Sequence, residues 1–116
     1  MLMNCLVVLA MALGSSPQDL KSSSPRVIRV SAERFAYAPS EITVERGTVI
    51  EFHLTSQDTD HGFRIIGTEV DVQIPKRRRG KTVVKYTADT AGRFIIECSR
   101  PCGAGHTAMR ATLVVK

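Results

Sequence analysis

At 116 residues the chain can form one domain with a proper core and is too short for two. Its net charge of +5 admits an acidic protein or a membrane surface as partner. No aromatic-interleaved basic stripe and no nucleic-acid module accompanies that charge, so no nucleic-acid partner is expected.

Residues 1–16 read as a signal peptide or a truncated membrane anchor. "LVVLAMALGSS", Leu6 to Ser16, is an apolar run closed by small residues, as in a leader with its cleavage region. It falls short of the ~20 apolar residues of a full span. No Lys or Arg precedes it, and Cys5 lacks the small preceding residue of a lipidated cysteine, so Cys5 is given no role. Residues 17–25, "PQDLKSSSP", form a polar linker.

From Arg26 to Lys116 the pattern is alternation. Apolar residues recur at every second position in Ile28–Ala32, Ile42–Val44, Ile50–Leu54, Val70–Ile74, Thr82–Tyr86, Phe94–Cys98 and Ala111–Val115, the signature of half-buried strands. Turn signals at Arg46-Gly47 and in "ADTAG" separate them, and no segment shows helical periodicity. The expected fold is all-β, a Greek-key β-sandwich of about seven to eight strands. If strands alternate in direction, the loop after Cys98 and the basic loop "PKRRRG", Pro75 to Gly80, lie at the same end. The segment around His61 reaches that end too.

No nucleophile, acid–base pair or phosphate loop is visible, so the domain is expected to perform no bond chemistry alone. The chemistry sits in "CSRPCGAGHTAM", which reads Cys98-x3-Cys102-x3-His106-x2-Met109. Thiolate and thioether are soft ligands that select copper, and imidazole suits copper as well. Gly103 and Gly105 let the loop fold tightly, and Pro101 stiffens it. A plain disulfide explains the cysteines but not His106 and Met109. A structural zinc site needs no Met and uses closer cysteines. A mononuclear copper site leaves one Cys unused. A binuclear site, with one thiolate bridging to a second copper, uses every residue. His61, in "HGF", supplies an upstream imidazole. His53 lies on the outward face of its strand and reads as a surface residue.

The loop and the segments "APSEITVERGTVIEFHLTS" and "DHGFRIIGTEVDVQIP" resemble the copper A (CuA) domain of cytochrome c oxidase subunit II, of the short type anchored by one helix. The resemblance covers about Val27 to Lys116. It implies a cupredoxin fold and two copper ions bridged by Cys98 and Cys102. His61 and His106 are then terminal ligands and Met109 a weak one. The Arg100 carbonyl completes the set, at a position where the family usually carries an acidic side chain. The implied function is extracytoplasmic or periplasmic electron transfer from a small redox protein to an oxidase or reductase core, with membrane association through the N-terminus. Assembled with a haem–copper core, the chain becomes the electron-accepting subunit of a cytochrome c oxidase-type complex. The alternative is a copper carrier or mononuclear cupredoxin that handles copper. Lys76, Arg77, Arg78, Arg79 and Lys81 crowd one loop, which points to an acidic donor, whereas the family usually receives a basic cytochrome c.

Overall fold

The computed structural model describes residues 24–116. The leader and most of the linker expected from the sequence lie outside these residues. Among the described residues no helix is long and apolar enough to cross a membrane.

The described residues form nine strands in chain order: β1 (Arg26–Glu33), β2 (Ala36–Ala38), β3 (Glu41–Val44), β4 (Thr48–Ser56), β5 (His61–Ile65), β6 (Asp71–Ile74), β7 (Thr82–Ala88), β8 (Gly92–Glu97) and β9 (Arg110–Val115). They make a four-stranded sheet, β2-β1-β4-β7, and a five-stranded sheet, β3-β9-β8-β5-β6. Both sheets are mixed: β1 runs parallel to β4, and β3 parallel to β9. Each parallel pair arises because the chain crosses to the other sheet before returning.

The alternating residues face inward as read. Ile50, Phe52 and Leu54 are fully buried, as are Ile65, Ile96 and Leu113 from the opposite sheet. Phe52 and Phe63 meet across the sandwich with ring centroids 5.2 Å apart. Burying such side chains contributes about 1.5–3 kcal/mol each.

Two strands exceed the sequence reading. β2 has only three residues, too few for a period to register. β5 carries no alternation because His61, Gly62, Phe63 and Ile65 are all buried. It is an inner strand, covered on one face by the core and, at its start, by the cysteine loop.

β5 decides the geometry of the site. It runs antiparallel to both β6 and β8, so it starts where β6 and β8 end. The β8–β9 loop that carries the cysteines therefore lies beside His61. His61 pairs with Ile74, so the basic loop after β6 emerges at this same end.

Candidate metal centre

The loop from Cys98 to Met109 joins the antiparallel pair β8 and β9, whose last register is Glu97 to Arg110. Cys98 is buried at its root and Cys102 at its middle. A single 3-10 turn, His106–Ala108, carries His106. Met109 closes the loop, fully buried.

These donors converge. The sulfurs of Cys98 and Cys102 are 3.5 Å apart, and both cysteines are free thiols. His61 brings a ring nitrogen into the same cluster, all three ligand atoms lying within 4.8 Å of one another. His106 Nδ1 is 3.7 Å from Cys102 Sγ, and Met109 Sδ is 3.9 Å from it. The Arg100 carbonyl oxygen lies 3.0 Å from Cys98 Sγ. Every residue expected from the sequence is thus in one place. His53 is elsewhere, on the outer face of β4, partly covered by Glu51 at 2.8 Å and Lys81 at 3.3 Å.

His61 supplies the sharpest test of whether a metal fits. Its Nε2 is held by Asp58 Oδ1 at 2.6 Å. Its Nδ1 is buried and has no hydrogen-bond partner among the described residues. A buried polar atom without a partner costs about 1–3 kcal/mol. A metal ion bonded to Nδ1 removes that cost, and the Asp58 bond fixes the ring for it. Two thiols, a thioether, a carbonyl and two imidazoles form a soft donor set that suits copper.

Three residues that the sequence did not single out support the donors. Asp58 accepts from the Arg34 N–H at 2.8 Å and the Thr59 N–H at 2.7 Å, besides His61. Burial alone raises a carboxyl pKa, but these bonds outweigh it and hold Asp58 at about 2. Gly62 donates its N–H to Cys98 Sγ at 3.3 Å. Tyr37 donates its hydroxyl to the Gly62 carbonyl at 2.5 Å; burial pushes its phenol pKa well above the ordinary range, and the cysteines add to the shift. Tyr37 and Gly62 lie 25 residues apart in sequence. Asp58, three residues before His61, and Gly62, next to it, had a local clue; Tyr37 had none.

The loop is also held from outside. Arg34 Nε donates to the Cys102 carbonyl at 2.9 Å. The ring of the exposed Phe35 lies against Gly103 and Gly105, so close that a Cβ on Gly105 would fall 2.4 Å from it. The glycines are therefore needed for close approach as well as for turning. Burial raises the pKa of the Cys102 thiol, and Cys98 and Asp58 push it further. The metal-free site consequently favours the protonated thiol, and metal binding must release protons.

A two-sheet β-sandwich whose β8–β9 loop and the start of β5 bring Cys, His and Met donors together has a cupredoxin-like fold. No family model matches the sequence. The chain is 38% identical over 89 residues to cytochrome c oxidase subunit 2 of Thermus thermophilus, a match covering 77% of this chain. Over these residues the chain is similar in sequence to part of cytochrome c oxidase subunit II, and its fold is that of the subunit's periplasmic domain. The match spans 64% of one Thermus thermophilus sequence and 52% of another, so these relatives are considerably longer. Among solved structures it is similar to the periplasmic domain of subunit II of cytochrome oxidase from Bradyrhizobium japonicum. That match has a TM-score of 0.69 at 18% identity, covering 78% of this chain and 83% of that one. Auracyanin A, a blue copper protein from Chloroflexus aurantiacus, matches with a TM-score of 0.64 at 16% identity, over 80% of this chain and all of that one. At such identities the structural likeness speaks to the fold.

Proposed function

We propose that the domain is an extracytoplasmic electron-transfer module that holds a binuclear copper centre of the CuA type. The observation that carries this is the pair of buried cysteine sulfurs 3.5 Å apart beside an imidazole nitrogen that has no partner among the described residues. A mononuclear site has use for one thiolate; two facing thiolates suit a bridge. In this reading Cys98 and Cys102 would hold the copper between them, His61 and His106 would be further ligands, and Met109 and the Arg100 carbonyl would complete the set. Bound copper supplies a one-electron couple.

The chain's own part is to hold and insulate. Rigid strands β5, β8 and β9 carry or flank every donor, which limits rearrangement between oxidation states. Burial of Cys98, Cys102, His61 and Met109 keeps water out. The Gly62 N–H and the Met109 thioether tune the sulfurs. Such burial argues against a copper carrier, which needs an accessible site for handing its metal on. The sequence similarity supports a periplasmic setting, with residues 1–16 as leader or anchor. It also supports a small redox protein as donor and an oxidase core as acceptor. Assembled with a haem–copper core, the chain serves as that complex's electron-accepting subunit.

Spectroelectrochemistry on the copper-reconstituted domain tests the proposal. The expected result is reversible cycling with one electron per domain and no loss of copper to a competing chelator. Rapid surrender of copper without a reversible couple would instead identify a carrier.

A further inference from the structure

Resting on that electron-transfer reading, we propose that the loop Lys76–Lys81 is the docking surface for the donor, and that the donor presents an acidic face. The first argument is placement. The loop is fastened to the segment that delivers His61: the Lys76 N–H donates to Asp60 Oδ1 at 2.7 Å, and the Arg77 N–H to the Asp58 carbonyl at 3.0 Å. Asp58 in turn holds His61. A partner bound to these cations therefore sits beside a metal-facing histidine.

Charge availability is the second argument. Lys76, Arg77, Arg78, Arg79 and Lys81 are all exposed. Among the described residues none of them forms an ion pair with a carboxylate, whereas Arg64 and Arg110 pair with Glu97 and Arg100 lies 3.9 Å from Asp71. The nearby carboxylates are already engaged, Asp58 by His61 and backbone N–H groups and Asp60 by the Lys76 N–H. Arg34, on the β1–β2 connection, extends the positive surface across the cysteine loop, with its Nε on the Cys102 carbonyl.

The third argument is construction. The Arg79 N–H closes a turn onto the Lys76 carbonyl at 3.0 Å, and Arg78 adopts φ 68°. A non-glycine residue there carries a conformational cost. With both anchors to the His61 segment, the backbone of the turn is fixed at this end of the sandwich and its charged side chains project from it into solvent. Anionic lipid headgroups would also bind basic side chains, but that needs no attachment to a metal ligand. The attachment favours a redox protein. In the encounter the donor is oxidised by one electron and the centre is reduced by one. Complementary charge raises encounter rates by roughly 10–1,000-fold at low salt. Screening over about 8 Å removes much of the gain at physiological salt.

The experiment measures binding directly, by calorimetry and amide chemical-shift mapping, on both metal-free and copper-loaded domain. The probes are an acidic plastocyanin, a basic cytochrome c, and vesicles of phosphatidylglycerol in phosphatidylcholine, each at low and physiological salt. The expected result is at least ~10-fold tighter binding of the acidic protein at low salt, weakened by salt, with shifts centred on residues 76–81. Arg77→Glu combined with Arg78→Glu should reverse the preference while the circular dichroism spectrum stays unchanged. Equal binding of both proteins, or indifference to the double substitution, overturns the proposal; so does binding of the vesicles without the acidic protein. Because the metal-free domain is tested too, a failure to load copper would strike the electron-transfer reading and leave the docking result interpretable.

Discussion

Gly62→Ala is the perturbation whose effect follows most directly from the atomic positions. Gly62 sits on β5 opposite the first residues of the cysteine loop. A Cβ there would lie 2.4 Å from Ser99 Oγ, 2.5 Å from the Ser99 nitrogen and 2.6 Å from the Arg100 nitrogen. The serine hydroxyl can turn away, but the two backbone nitrogens can move only with the chain between Cys98 and Cys102. Overpacking of this kind costs about 1–3 kcal/mol. In a domain of this size each kcal/mol moves Tm by about 4–8 °C, so a fall of ~10 °C is expected in the metal-free protein. The same displacement shifts the Arg100 carbonyl and the Gly62 N–H relative to Cys98 Sγ, so copper binding should weaken as well. Gly67→Ala is the control. Gly67 has φ +86°, and a Cβ there would meet nothing within 4 Å, so its substitution strains a turn by about 1–2 kcal/mol far from the donors. Differential scanning calorimetry and copper titration of both variants check this. A Gly62→Ala protein with the parent's Tm and the parent's copper spectrum would refute the reasoning.

Ligand substitutions should separate by role. Cys98→Ser or Cys102→Ser abolishes the binuclear spectrum, because oxygen does not replace a soft bridging thiolate. Met109→Leu retains copper and shifts the potential, and His53→Ala changes neither, as absorption spectra and voltammetry will show. Tyr37→Phe leaves the Gly62 carbonyl without its hydroxyl donor. It should cost about 1–3 kcal/mol by urea denaturation and alter the potential through the Gly62 N–H on Cys98. Asp58 has a carboxyl pKa depressed to about 2, so its stabilising effect is complete above the ordinary carboxyl pKa of about 4 and is lost as pH falls toward 2. In metal-free protein Asp58→Asn should therefore flatten the stability curve in that acid window, measured by urea denaturation against pH. A parallel curve for the two proteins contradicts the Asp58 assignment.

What could be read without the structure followed the range of each interaction. Strands with one wet and one dry face, such as β4 with Ile50, Phe52 and Leu54 inward, announce themselves by alternation. β5 does not, since four of its five residues are buried and its pattern is that of an interior strand. The site was legible where its residues are close in sequence, in the loop from Cys98 to Met109. His61 was legible from its place in "HGF" together with the loop, which called for a second imidazole. Tyr37 was hidden because its role comes from a long-range bond between β2 and β5. The shared end of the cysteine and basic loops was legible by counting strand directions back from Cys98. The unforeseen strand β5 lies upstream of both loops and leaves that count intact.

Copper stoichiometry combined with electron paramagnetic resonance tests the central claim most directly. The domain, reconstituted with copper and freed of excess metal, should contain two copper ions per chain. Its oxidised, mixed-valence form should show one unpaired electron shared over two copper nuclei. One copper per chain with the hyperfine pattern of a single nucleus, or retention of zinc alone, would contradict the binuclear account.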